Sequence, residues 1–319
     1  MALGEFDLIA RYFTREARKA ALGIGDDCAL LAPAAGMQIA VSSDMLVEGR
    51  HFLSTVAADR LGHKSLAVNL SDLAACGAKP LAFTLALAMP RVDEAFLEGF
   101  SRGLFALADA QGCELVGGDT TQGPLTISIT VFGEVPAGVA LLRSGARAGD
   151  DLYVSGQLGD ARLALEVFRG SAGIDAAVVD EVRGAMELPQ PRVALGMALR
   201  GIARSAIDVS DGLLGDLSHL LRRSAVGATI EVDALPRSAA LRRQSIAWQR
   251  LCTLAGGDDY ELAFSAAPAD AGRVAEAAQR AGVAVTRIGR IDPEPGLRLL
   301  DAQGATVAND FASFDHFRS

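Results

Sequence analysis

Five short acidic motifs are spread along this 319-residue chain, and each follows or interrupts an apolar run. A carboxylate beside an apolar strand loses hydration unless it is paired or holds a cation. A chain with many such carboxylates must therefore fold so that they share polar surroundings. The motifs are Gly25-Asp26-Asp27, Ser42-Ser43-Asp44, Asn69-Leu70-Ser71-Asp72, Gly117-Gly118-Asp119-Thr120-Thr121 and Asp208-Val209-Ser210-Asp211-Gly212.

Two interpretations of these motifs remain open at this stage. Any single Asp could serve only as a helix cap or a turn residue, as in Asp211-Gly212. Taken together, the motifs offer many oxygen ligands, which suit hard divalent ions. Two or more such ions about 3.5–4 Å apart can clamp a transferring phosphoryl group. An EF-hand would place its ligands in one short loop, whereas these are distributed. The set therefore predicts a cleft that the fold assembles.

Charge and composition narrow the class of ligand. The chain has a net charge of −9, and its three lysines are Lys19, Lys64 and Lys79. No basic cluster indicates nucleic-acid binding. A bound polyphosphate would be neutralised by metal ions and a few Arg residues.

The chain lacks the usual phosphate-binding loops. It has no Gly-x-x-x-x-Gly-Lys-Ser/Thr motif, and Gly23-Ile24-Gly25 is only part of a Rossmann fingerprint. Phosphates would then be held through metals and through main-chain N–H groups in turns such as Gly117-Gly118. No Ser-His-Asp or Cys-His pairing is evident from position, so hydrolysis by a side-chain nucleophile is not favoured.

The expected location is the cytoplasm, without a membrane segment. The first residues are acidic rather than apolar, and no apolar run has transmembrane length. The four cysteines form no Cys-x-x-Cys pair, which favours buried free thiols in a reducing compartment.

Strand-like runs alternate with amphipathic helices, which predicts an α/β (α+β) architecture. A turn-rich segment from Pro136 to Asp150 predicts a boundary between two domains, at 1–137 and 149–319. Strands are predicted at 38–43, 82–88, 125–132, 152–154, 206–209, 228–232, 261–264 and 283–288. Helices are predicted at 60–76, 93–111, 160–168, 192–199, 213–222 and 270–281.

These motifs, in combination, resemble those of the thiamine-monophosphate kinases, in the superfamily of aminoimidazole ribonucleotide synthetase and selenophosphate synthetase. The resemblance spans nearly the whole chain. Besides the acidic motifs, it includes Gly4-Glu5-Phe6, Arg143-Ser144-Gly145-Ala146, Gly256-Gly257-Asp258-Asp259-Tyr260-Glu261-Leu262 and Asp315-His316-Phe317.

The resemblance implies a two-domain fold of the aminoimidazole ribonucleotide synthetase type, in a homodimer whose N-terminal sheets pair. It implies phosphorylation of thiamine monophosphate to thiamine diphosphate, with ATP as co-substrate and several Mg²⁺ ions. The implied metal-binding residues are Asp27, Ser42, Ser43, Asp44, Asp72, Asp119, Asp208 and Asp211, of which Asp44, Asp72 and Asp119 would act in catalysis through the metal. The implied ATP contacts are Gly118, Asp119, Arg143 and Ser210, and the implied substrate contacts are His51, Asp258 and Phe314.

Two positions depart from residues that the family often has, since Asp258 stands in place of Glu and Phe314 in place of Tyr. Three rival functions remain. The first is another ATP-dependent kinase or synthetase of the superfamily with a different acceptor. The second is a non-catalytic protein that binds divalent cations. The third is a two-metal phosphodiesterase, which the lack of a His-rich site disfavours.

Overall fold

The computed structural model describes residues 4–24, 27–174 and 176–311. The chain divides into two compact units. Unit 1 comprises Met1–Leu73 and Ala78–Gly138, and unit 2 comprises Ala74–Gly77 and Val139–Ser319. Each unit combines a β-sheet with helices, which confirms the predicted α/β (α+β) class.

Unit 1 is built on a four-stranded sheet. Its elements are α1 (Glu5–Tyr12), β1 (Met37–Val47), α2 (Ala58–Ala75), β2 (Lys79–Met89), α3 (Glu94–Gln111), β3 (Glu114–Gln122) and β4 (Thr126–Pro136). The last two residues of α2, Ala74 and Ala75, belong to unit 2. The strand order is β1-β4-β2-β3, with β2 and β3 parallel and the other two pairs antiparallel. Helices α2 and α3 touch at Gly62, where an added Cβ would lie 2.0 Å from the carbonyl oxygen of Phe100.

The predicted helix at 93–111 is confirmed as α3. Asp93 caps it by accepting the Phe96 N–H at 3.1 Å, and Gly112 ends it in the left-handed conformation. Leu97, Phe100 and Leu104 have no exposed surface, so the apolar stripe is core, as the periodicity predicts.

Two strands differ from the sequence-based expectation. Strand β1 runs beyond 43 and pairs with β4 over its whole length, so Asp44 lies within a strand rather than at its end. Strand β3 is not indicated by the sequence, because Gly117-Gly118-Asp119 is typical of a turn. Pairing with β2 makes this segment a strand despite its low propensity.

One face of the sheet in unit 1 carries exposed apolar side chains along β1. Ile39 is 37% exposed, Val41 58% and Met45 56%. These residues alternate with Ala40, Ser42 and Asp44, which point to the opposite face. Strand β1 is also an edge strand.

Unit 2 contains a six-stranded mixed sheet in the order β10-β7-β9-β5-β8-β6. Its strands are β5 (Asp151–Ser155), β6 (Ala203–Val209), β7 (Gly227–Glu231), β8 (Glu261–Ala266), β9 (Val285–Asp292) and β10 (Gly296–Leu300). Its helices are α4 (Asp160–Phe168), α5 (Val179–Glu187), α6 (Val193–Ala198), α7 (Leu213–Ser224), α8 (Ala239–Arg242), α9 (Ile246–Ala255) and α10 (Ala271–Ala281). Leu213, Leu217 and Leu220 of α7 are fully buried in its core.

The predicted helix at 160–168 matches α4, and the helix predicted from 213 begins where α7 begins. In unit 2, helices α5, α8 and α9 and strand β10 are not indicated by the sequence. Strand β10 has five residues and follows Pro293-Glu294-Pro295, so its periodicity is too short to recognise.

No helix within the described ranges is both long and apolar enough to cross a membrane. The expectation that all cysteines are buried is wrong for two of them. Cys113 and Cys252 are buried, whereas Cys28 and Cys76 are exposed, and all four are free thiols. Cys28 and Cys76 have small or apolar neighbours in the sequence, but this pattern does not indicate burial at a bend or a turn, where both residues lie.

Candidate functional site

A polar cluster in unit 1 joins β1 to α2. The Ser42 hydroxyl donates a hydrogen bond to Oδ2 of Asp72 at 2.5 Å. The Asp44 N–H donates to Oδ1 of Asn69 at 3.0 Å, and the Asn69 amide donates to the carbonyl of Ser65 at 3.0 Å. Asn69 is 1% exposed, so it fixes α2 against β1. The two motifs Ser42-Ser43-Asp44 and Asn69-Leu70-Ser71-Asp72 thus meet in space.

The sheet register places Asp119, another candidate acid of unit 1, in a different row from Asp44. Asp44 lies in the row of Ile129, Leu85 and Gly118, whereas Asp119 lies in the next row, beside Ala86. Gly118, which precedes Asp119, has a φ of +150° and departs from regular strand geometry. The register therefore places the backbone of Asp119 one row beyond that of Asp44.

Gly118 brings β3 unusually close to β2. Its φ is +150°, and an added Cβ would lie 1.8 Å from the carbonyl oxygen of Leu85. A larger residue would therefore displace the strand that carries Asp119. The close approach of the two strands therefore requires glycine at position 118, independently of any ligand that its N–H group contacts.

Within the described ranges, no three His, Cys, Asp or Glu side chains lie together in a way that could hold a metal ion. Asp27 is exposed, in an irregular segment before β1, and its neighbours Gly25 and Asp26 lie outside the described residues. Ser42, Asp44 and Asp72 are the candidate metal ligands that unit 1 brings together.

His51 follows β1 and its ring is oriented by the backbone. Its Nδ1 accepts the N–H of Val47 at 3.0 Å, so a neutral ring carries its proton on Nε2. Its carbonyl accepts a hydrogen bond from Nζ of Lys64, which is 2% exposed, at 3.1 Å. The hydrogen bond at Nδ1 therefore fixes the orientation of the imidazole ring.

In unit 2, Asp208 lies near the end of β6, and a turn through Ser210 and Asp211 leads into α7. The N–H groups of Ser210 and Asp211 both donate to Oδ2 of Asp216, at 3.0 and 3.1 Å. Asp208 and Asp216 are buried, at 5% and 6% exposed. Burial, followed by the charge of Asp208, raises the pKa of Asp216 to about 7. The charge of Asp208 therefore acts on Asp216 at this turn.

A second turn, which carries Asp258, runs beside the first. The N–H of Asp258 donates to the carbonyl of Ser210, and that of Tyr260 to the carbonyl of Val209, both at 2.8 Å. Asp258 and Tyr260 have φ values of +67° and +49°, which is rare outside glycine. The Tyr260 hydroxyl donates to Oδ1 of Asp258 at 3.2 Å. Strained backbone of this kind is often found at functional sites.

The far end of the second turn is anchored at the start of β8. Glu261 is 4% exposed, and Arg192 donates to both of its carboxylate oxygens, at 2.7 and 2.5 Å. Ser155 of β5 adds a hydrogen bond to Oε2 at 2.5 Å. The position of Asp258 is therefore determined by contacts on both sides of its turn.

Arg143 is exposed before β5, and its carbonyl accepts a hydrogen bond from Ser224 at 3.0 Å. Burial and the charges of Arg222 and Arg143 lower the pKa of His219, while Asp211 raises it. The charges of Arg143 and Asp211 therefore both act on His219. Phe314 lies outside the described residues.

Two buried carboxyl groups at these turns, those of Asp216 and Asp259, are not among the site residues predicted from the sequence. Both oxygens of Asp259 accept the N–H of Gly159, at 2.9 and 3.1 Å, and burial raises its pKa well above its ordinary value. Asp216 could have been noticed as an acid in the first turn of a helix that follows Asp-Gly. The sequence Asp258-Asp259 does not indicate which of the two carboxylates accepts a backbone N–H group.

Known proteins resemble this chain over its whole length. Residues 25–135 match the family described as AIR synthase related protein, N-terminal domain, and residues 147–302 match AIR synthase related protein, C-terminal domain. Thiamine-monophosphate kinase of Salmonella typhimurium is 45% identical, over 99% of both chains.

Solved structures agree with this similarity. The crystal structure of thiamine-monophosphate kinase from Stenotrophomonas maltophilia K279a superposes with a TM-score of 0.85 at 44% identity, covering 96% of this chain and 99% of that one. AaThiL complexed with AMPPCP and TMP superposes with a TM-score of 0.76 at 27% identity, covering 90% and 89%. The predicted two-domain fold is confirmed.

Proposed function

This chain belongs to the thiamine-monophosphate kinase family, and we propose that it transfers the γ-phosphoryl group of ATP to the phosphate of thiamine monophosphate, giving thiamine diphosphate and ADP. The observation that carries the proposal is the 45% identity with such a kinase over 99% of both chains. The acidic turns described above supply the chemistry that such a transfer needs.

The side chains at these turns fit Mg²⁺, because they offer only carboxylate and hydroxyl oxygens. We assign Ser42, Asp44 and Asp72 to one group of ligands and Asp208 and Asp211 to another. Asp27, Ser43 and Asp119 complete the proposed set. When bound, Mg²⁺ neutralises the phosphates and holds the attacking and leaving oxygens in line.

Little other chemistry is required from the chain. The acceptor oxygen belongs to a phosphate that is already anionic near neutral pH, so no strong general base is needed. The residues bind and orient two polyanions. Transfer is direct, with no phosphorylated side chain.

We assign ATP to the main chain around Gly118 and to Asp119, Arg143 and Ser210. The guanidinium of Arg143 suits a phosphate. Thiamine monophosphate is a flat, cationic ligand, for which an acid and an aromatic ring are suitable partners. We assign Asp258 and Phe314 to it, with His51 close to its phosphate.

We further propose a homodimer in which residues 1–137 form the metal-binding, ATP-binding and dimerisation domain and residues 149–319 form the second α/β domain. The exposed side chains of Ile39, Val41 and Met45 support this, because a second copy would cover them. Ser43 shares that sheet face and would enter the interface. We place the enzyme in the cytoplasm, where exposed thiols such as Cys28 and Cys76 stay reduced.

A coupled assay tests the proposed function. The protein is incubated with ATP, Mg²⁺ and a panel of phosphorylated acceptors, and ADP and thiamine diphosphate are measured. We expect turnover with thiamine monophosphate, loss of turnover in EDTA and recovery with Mg²⁺. Turnover with another acceptor alone would favour the superfamily rival, and no turnover would favour a cation-binding protein. Full activity without metal would exclude the proposed metal role.

The assignment of Asp258 predicts a selective loss. Asp258→Asn keeps the shape of the side chain and tolerates a positive φ, so it removes mainly the charge. We expect the KM for thiamine monophosphate to rise about 10-fold or more, as when a hydrogen bond to a charged group is lost. The KM for ATP should change much less. Asp301→Asn, at a turn where Asp301 accepts the N–H groups of Gln303 and Ala305, is the control and should change neither. Equal rises in both KM values would contradict the assignment.

A further inference from the structure

The turn that carries Ser210 and Asp211 is held by a carboxylate outside the acidic motifs. Asp216 is the fourth residue of α7, yet its Oδ2 reaches back past the helix N-terminus to two consecutive N–H groups, at 3.0 and 3.1 Å. The N-cap residue Gly212 has no side chain with which to cap the helix. Asp216 therefore satisfies two donors that precede the N-cap residue and lie outside the helix, and so ties the turn to the first turn of α7.

The same turn is held from its other side by the segment of Asp258. The carbonyl of Ser210 accepts the Asp258 N–H at 2.8 Å. The approach is close, since a Cβ added at Gly257 would lie 2.6 Å from that carbonyl oxygen. A displacement of Ser210 would therefore also displace Asp258. One carboxylate thus controls the backbone between the proposed ATP contact and the proposed acceptor contact.

A carboxylate at this position has an electrostatic cost. Asp216 is 6% exposed and close to Asp208, which is 5% exposed, and to Asp211. The two backbone hydrogen bonds offset part of this cost, because they stabilise the charged form of the carboxyl group. The carboxylate and the turn therefore stabilise each other.

We propose that Asp216 is a positioning residue, which fixes the Ser210–Asp211 turn so that its side chains and, through the Ser210 carbonyl, Asp258 are presented correctly to magnesium-bound ATP and the acceptor. This inference rests on the proposed function. Asp216 itself touches neither ligand. Its effect is carried by the backbone alone.

The test compares three substitutions in the full-length protein by calorimetric titration with Mg²⁺ and AMPPCP, a non-transferring ATP analogue. Asp216→Ala removes the acceptor, and we expect the Kd to rise about 10- to 100-fold, as when an outer partner of a metal ligand is lost. Asp216→Asn keeps an oxygen that can accept both N–H groups, so we expect its Kd to stay within about 3-fold of the original. Asp292→Ala is the control, because Asp292 is also buried in unit 2, at 7% exposed, and accepts the Thr229 hydroxyl at 2.5 Å. It should lower the melting temperature and leave the Kd unchanged.

Each outcome decides the proposal. If Asp216→Ala lowers the melting temperature but not the affinity, Asp216 is only a helix cap and the proposal fails. If the alanine and asparagine variants lose affinity equally, its charge matters and positioning does not. Should Asp216→Ala not fold, Asp216→Ser, whose shorter side chain cannot reach the two N–H groups, takes its place with the same expectation. Turnover of thiamine monophosphate by the unsubstituted protein is scored separately, so the proposed function can fail while the comparison of Kd values still stands.

Discussion

Replacing Asp72 by asparagine is expected to lower kcat/KM by at least about 10- to 100-fold at low Mg²⁺, because losses of that size follow even the removal of outer partners of metal ligands. Asp72 is bound by the Ser42 hydroxyl at 2.5 Å and belongs to the same cluster as Asp44. Asparagine can still accept that hydrogen bond but cannot supply the charge. The dependence of rate on Mg²⁺ concentration is the measurement.

Asp93→Ala is the control for this prediction, since Asp93 caps α3 in the same unit. Loss of a cap should lower the free energy of unfolding by about 1 kcal/mol and leave the rate unchanged. Asp72→Asn should fold, because asparagine has a similar shape and can still accept the hydrogen bond from Ser42. Near-normal turnover of Asp72→Asn at low Mg²⁺ would remove Asp72 from the metal site.

The second large effect concerns the exposed face of β1. Val41→Asp is expected to abolish the proposed dimer and, with it, most activity. A two-fold interface contains the substitution twice, so two unpaired carboxylates would be buried together. A cost of about 3 kcal/mol would raise the dissociation constant of the dimer roughly 100-fold.

Sedimentation velocity measures the oligomeric state, and the kinase assay is run on the same samples. Ile246→Asp is the matched control, because Ile246 is 57% exposed, close to the 58% of Val41, but lies on α9 in unit 2. It should leave both mass and activity unchanged. If Val41→Asp remains dimeric, β1 does not form the interface. If the unsubstituted protein is a fully active monomer, the dimer proposal fails.

The sequence predicted those features of this protein that depend on local patterns. The stripe of Leu97, Phe100 and Leu104 and the signals at Asp93 and Gly112 fixed both ends of α3, because periodicity and caps act within a few residues. Most other helices and strands followed in the same way, and the acidic motifs predicted the family and its chemistry.

Tertiary structure alone decided where those acids lie. Asp44 and Asp119 look alike in sequence, yet the register of β1, β4, β2 and β3 places them in successive rows of one sheet, on its two different edge strands. Strand β3 exists only because β2 pairs with it. Asp258 is an ordinary acid of a turn in the sequence, and only the fold brings its N–H group to the carbonyl of Ser210. Register and long-range hydrogen bonds join residues that are distant in the chain, and no local pattern encodes them.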